Sequence, residues 1–136
     1  MLKYLLDTNI VIYVIKRRPL EVLEKFNTNS GRMAISAITL AELIHWVEKS
    51  SDVARNLSIV EDFVSRLTVL AYEENAACQY GSIRATLEKL GQPIGVNDLH
   101  IAAQARSSGL VLVSNNQREF AKVPGLVIEN WVQPVV

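Results

Sequence analysis

Residues 2–9 read Leu2-Lys3-Tyr4-Leu5-Leu6-Asp7-Thr8-Asn9. The apolar run is a short buried strand that stops on a carboxylate. A helix pattern follows at once from Ile10. Strands apolar on both faces belong to parallel sheets covered on both sides. An acid where such a strand ends lies at the carboxyl edge of the sheet, where open α/β folds bind ligands.

The same signature recurs outward along the chain. Further strands are expected at Met33–Ile35, Thr68–Leu70, Leu110–Val113 and Val127–Ile128. Helices are expected over Ile10–Ile15, Leu20–Phe26, Leu40–Lys49, Val53–Arg66, Glu74–Leu90 and Asp98–Ser107. Turns fall at Arg18-Pro19, Asn29-Ser30-Gly31, Gly91-Gln92-Pro93 and Ser108-Gly109, where Gly, Pro, Ser and Asn collect. Strands alternating with helices predict an α/β fold, a central parallel sheet of about five strands flanked on both faces. No composition shift or repeat divides the chain, so one domain over residues 1–136 is expected.

Composition narrows the class. The chain is 49% hydrophobic, enough for a packed core. Lys plus Arg and Asp plus Glu both number 14, so there is no global attraction to nucleic acid, though a local basic stripe is enough for binding. The single Cys78 has no intrachain partner and reads as a small core residue in a reducing compartment. No apolar stretch has the length of a membrane span and the N-terminus carries charges, so a cytoplasmic location away from membranes is expected.

Three more acids lie at or near expected helix starts: Glu42, Asp98 and Glu119. Each has a local explanation. Asp7 suits an N-cap. Thr39-Leu40-Ala41-Glu42 reads as a capping box, with Glu42 opposite the stripe of Leu40, Leu43, Ile44 and Val47. Trp46 shares the Glu42 side, which suggests a second contact surface there. Asn97 suits a cap before Asp98, yet Asp98 heads the apolar stripe of Ile101, Ala102 and Ala105 and so points inward. A partly buried carboxylate needs a partner, and a cation is a good one. Glu119 and Asn116 follow the fourth expected strand in what reads locally as an ordinary loop. Crossover helices between parallel strands begin at the carboxyl edge. If these helices are crossovers of one sheet, the four acids converge. Carboxylates that close raise one another's pKa, and a divalent ion removes the conflict. Oxygen donors without a His or Cys cluster favour Mg²⁺, or Mn²⁺, over Zn²⁺.

Leu6-Asp7-Thr8-Asn9, Glu42 after Ile38-Thr39, Asp98 after Gly95, and Ser114-x-Asn116-x-x-x-Phe120 together resemble the PIN-domain ribonucleases over essentially the whole chain. Within them the chain is similar to the VapC toxins of VapBC toxin–antitoxin pairs. Leu6–Tyr13 and Val113–Phe120 carry a finer likeness to the tRNA(fMet)-specific endonuclease group. The resemblance implies Asp7, Glu42 and Asp98 as an acidic triad for metal and catalysis. Many PIN domains carry Asp where this chain has Asn116, and Glu119 stands one helical turn later as the fourth acid. Asn9 and Ser114 are expected to hydrogen-bond the acids, with Asn116 beside them. The resemblance also implies a homodimer, a VapB-type antitoxin whose Arg reaches the acids, a toxin–antitoxin hetero-oligomer, and a tRNA substrate.

Three other readings compete. A haloacid-dehalogenase-like phosphatase would use Asp7 as nucleophile, but its second acid would stand where Asn9 is. A receiver domain would need a later, more central strand for its Asp. A PIN-like module that binds RNA or protein without cutting is the non-enzymatic reading. Lys16-Arg17-Arg18 reads either as favourable charge at a helix C-terminus or as a phosphate contact. His45 and His100 are not spaced as a metal pair.

Overall fold

The computed structural model describes residues 1–133; residues 134–136 of the expected 1–136 domain lie outside them. The elements run β1 (Tyr4–Leu6), α1 (Thr8–Lys16), α2 (Leu20–Thr28), β2 (Met33–Ser36), α3 (Ala37–Glu48) and α4 (Val53–Val64). They continue with β3 (Thr68–Leu70), α5 (Glu74–Lys89), α6 (Val96–Ser108), β4 (Val111–Val113), α7 (Gln117–Phe120) and β5 (Ile128–Glu129). The strands form one five-stranded sheet in the order β3-β2-β1-β4-β5. Every pairing is parallel. The expected α/β sheet, covered on both faces, is therefore present.

Strand alternation sorts the core into two layers. Tyr4, Leu6, Met33, Ile35 and Val113 face one way and pack against Val14, Val22, Leu43 and Val60 from α1 to α4. Leu5, Ala34 and Leu112 face the other way and pack against Ile83, Leu87, Ile101, Ala102 and Phe120 from α5, α6 and α7. Leu5, Leu6 and Leu112 are fully buried. Each such side chain contributes about 1.5–3 kcal/mol relative to exposure. The chain steps from β1 to β2 to β3 with its helices on the first face. It then returns past β1 to β4 and β5 with helices on the second. Right-handed crossovers require that change of face when the direction of travel reverses.

Three local expectations are corrected. Helix α3 starts at Ala37, a turn earlier than the capping box implied. Its N-cap is Ser36, whose Oγ accepts from the Ile38 N–H at 3.1 Å. Strand β2 passes straight into the helix with no loop, so the last strand residue serves as the cap. Helix α6 likewise starts at Val96, with Gly95 at the N-cap, which leaves Asn97 exposed in the first turn. Cys78 is exposed on α5 instead of lying in the core, because the buried stripe of that helix runs through Ala76, Ile83 and Leu87.

Candidate active site

Strand β1 is the centre of the sheet, and the chain departs from its two sides in opposite senses. The crevice at the carboxyl ends of β1 and β4 is thus the topological switch point, the place where open sheets bind ligands. Asp7 and Ser114 end these two strands and meet across it. Ser114 Oγ donates to Asp7 Oδ2 at 2.8 Å and accepts from the Asn116 N–H at 2.9 Å. The Asp7 N–H donates to the Val113 carbonyl at 2.9 Å. Asp7 Oδ1 accepts from the Thr8 N–H at 2.8 Å and caps α1. Capping and facing the crevice are both true of this residue. Asp7 is 4% exposed and Ser114 is fully buried.

Glu42 does not close a capping box. With α3 starting at Ala37, it lies in the second turn and accepts a 2.7 Å hydrogen bond from Thr8 Oγ1. The Thr8 and buried Thr39 hydroxyls stand 3.3 Å apart. Below them Ser36 Oγ donates to Gln104 Oε1 at 3.2 Å, a buried tie between the end of β2 and α6. The hydroxyl that orients this acid is Thr8. Asn9, expected in that role, is exposed, and its side chain makes no hydrogen bond among the described residues. Thr8 was not singled out in the sequence; a hydroxyl beside the strand-end acid was the available signal.

Asp98 is half-buried in the first turn of α6, above the buried Ile101, Ala102 and Ala105. Its carboxyl is pushed up to about 6, first by burial and then by the charges of Asp7, Glu42 and Glu119. Burial also raises Asp7, against the hydrogen bonds from Ser114 and Thr8, and Glu42 adds to the rise. Acids far apart in sequence are therefore near enough to feel one another. A carboxyl whose folded pKa exceeds its ordinary 3.8 adds stability that is fully present below that value. It is lost as pH climbs through about 6. Melting temperatures in a chelator should accordingly show a fall across this window in the parent chain that Asp98→Asn lacks. Parallel pH profiles for the two proteins would refute the crowding.

Glu119 reaches the site from α7, but Lys122 holds it by contacts of 3.3 and 3.4 Å. Asn116 is the N-cap residue of α7, yet its side chain makes no capping bond; its backbone N–H joins the Ser114 hydroxyl instead. Lys16, Arg17 and Arg18 lie at the far end of α1, ~13 Å along its axis from Asp7 at 1.5 Å per residue. Trp46 packs against the first core layer. His100 stacks on Tyr80 at 4.2 Å and pairs through Nδ1 with the Tyr72 hydroxyl at 2.7 Å, a packing role.

The donor set suits a hard divalent cation: carboxylate oxygens, crowded negative charge, and hydroxyls that fix two of the carboxylates. Among the described residues, no three acidic, His or Cys side chains enclose one point as ligands. A cation that keeps several waters matches such an open arrangement. No described helix is long and apolar enough to cross a membrane.

The family model described as PIN domain matches residues 4–126. The chain belongs to the PIN-domain family. It is 61% identical over 132 residues to Ribonuclease VapC2 of Haemophilus influenzae, covering 97% of this chain and all of that protein. It is 53% identical over 131 residues to the tRNA(fMet)-specific endonuclease VapC of Shigella flexneri, covering 96% and 99% of the two chains. The crystal structure of DNA-bound VapBC from Salmonella typhimurium superposes with a TM-score of 0.93 at 52% identity, over 97% of this chain and all of that one. Within the PIN domains the chain thus falls among the VapC ribonucleases, and it is an enzyme of that family. These relatives give no support to the phosphatase or receiver readings.

Proposed function

We propose that this PIN domain is a divalent-metal-dependent endoribonuclease, with Mg²⁺ as the ion and Mn²⁺ as a substitute, that cuts tRNA in the cytoplasm. The observation that carries this reading is the geometry of the switch point, where Ser114 holds Asp7, Thr8 holds Glu42, and the half-buried Asp98 opens α6. The relative named as a tRNA(fMet)-specific endonuclease supports the initiator tRNA as substrate. Cutting it would stop translation at its first step.

Asp7 and Asp98 would hold the primary ion, and Glu42 and Glu119 a second ion or its waters. A bound ion supplies a water of lowered pKa and offsets charge on the phosphate. Ser114 and Thr8 fix the Asp7 and Glu42 carboxylates from behind, the role usual for groups that back metal ligands. Lys122, which holds Glu119 at 3.3 Å, would have to release that carboxylate for it to take a cation.

Solved relatives are VapBC complexes. We read this chain likewise as the toxin of a pair, a homodimer assembled with a VapB-type antitoxin. A groove of about 890 Å³ between α1, α2 and α4 would take an antitoxin segment. Leu23 and the stacked Phe26 and Phe63 form its floor, and Arg17, Arg55 and Arg66 line it too. An antitoxin Arg would pair with the acids by charge-assisted hydrogen bonds.

Purified protein mixed with bulk tRNA should give one discrete product with Mg²⁺ present and none in excess chelator. Added Mn²⁺ should restore it. Cleavage undiminished by chelator would remove the metal from the reading, and RNA binding with no cleavage under any condition would favour the silent module.

A further inference from the structure

Beyond the acids, on the β5 side of the crevice, four uncharged polar side chains are linked in one web. Asn115 follows Ser114 directly, Gln117 opens α7, Asn130 follows β5, and Tyr13 rises from the second turn of α1. Asn130 Nδ2 donates to Asn115 Oδ1 at 3.2 Å and to Gln117 Oε1 at 3.4 Å. Asn115 Nδ2 donates to the Tyr13 hydroxyl at 3.4 Å. We infer that this amide rim reads the edge of an RNA base next to the cut phosphate, so that Asn115 and Gln117 set the sequence preference of the nuclease. The inference rests on the ribonuclease reading above and adds the base-recognition surface to it.

Three features support it. The first is position. The Ser114 hydroxyl that holds Asp7 also takes the Asn116 N–H, so the segment bearing Asn115 is tied directly to the acid centre. A base flanking a phosphate in the crevice falls on what surrounds the crevice. The second is chemistry. Each amide carries a donor group and an acceptor oxygen, the combination that base edges present, and RNA is read on such edges where bases are unstacked. A surface built for phosphates would carry Lys or Arg; these four side chains carry no charge. The third is availability. Asn115 and Gln117 are exposed, and their bonds of 3.2–3.4 Å are long. Exposed bonds of that length contribute little to folding and exchange readily for those of a ligand. The web nevertheless holds the amides in place, which lowers the ordering cost on binding. Asn130 has a structural duty as well, since its Oδ1 accepts the Val132 N–H at 2.9 Å. Asn115 and Gln117 are therefore the informative positions.

The test uses the full chain with Mg²⁺ and a pool of RNA oligonucleotides randomised around one cleavage site, with products sequenced. Asn115→Ala and Gln117→Ala should each reduce the ratio of best-cut to worst-cut sequence about tenfold, whatever happens to the overall rate. In an Asp7→Asn background, the enrichment of bound sequences from the same pool should flatten in the same way. An unchanged sequence profile with only a uniform fall in rate would overturn the rim as a reader. So would substitutions that weaken antitoxin binding while leaving the profile intact. A parent chain that cuts no RNA in the pool would bring down the ribonuclease reading itself, and the rim with it.

Discussion

Asp7→Asn will lower RNA cleavage at least about a thousandfold and leave the protein folded. Losing a carboxylate proposed to hold the ion would remove several kcal/mol of charge stabilisation, and ~4 kcal/mol corresponds to about a thousandfold in rate. Stability should move the other way or not at all. Burial already raises the Asp7 carboxyl above its ordinary pKa, so its charge is a burden on the metal-free fold. An amide still offers an oxygen to the Thr8 N–H or to the Ser114 hydroxyl. Steady cleavage rates and thermal melts at neutral pH check both halves. Cleavage at the parental rate would dismiss the site, and a lower melting temperature would make Asp7 chiefly a helix cap.

Phe120→Ala will cost about 3–5 kcal/mol, the usual range for emptying a buried aromatic site. Phe120 is fully buried against the second core layer and is the anchor of α7. That helix has four residues and is far too short to persist without packing. Glu119 is mounted on it, so the substitution should weaken metal binding as well as the fold. Urea denaturation gives the first quantity, and titration of Mn²⁺ at low temperature gives the second. A loss under about 1 kcal/mol would mean that the cavity refills and that α7 is held by other contacts.

The sheet was legible because its strands are short apolar runs bounded by turns, and every expected strand is present within a few residues. Asp98 was legible for a related reason: Ile101, Ala102 and Ala105 at helical spacing showed which way it points. Glu42 was misread. Its local sequence matches a capping box, and its actual partner, Thr8, is remote in the chain and visible only after folding. Thr8 and Asn9 are neighbours in sequence, but a helix turns ~100° between them. One faces the acids and the other faces water, and nothing in composition distinguishes them. The Lys122 contact follows from ordinary i,i+3 spacing. That spacing carries meaning only on a helix, and Asn116–Glu119 has the local sequence of a loop.

Strand β1 is the first made and the innermost, flanked by β2 and by β4. A nascent chain therefore keeps one side of its earliest strand unpaired until Val111–Val113 has left the ribosome. Ser114 and Glu119 come later still. Contacts this distant along the chain slow folding, and they also act as a safeguard. A truncated product carries Asp7 and Glu42 but neither Asp98 nor the Ser114 hydroxyl that holds Asp7, so an interrupted round of synthesis releases a fragment without the complete proposed site.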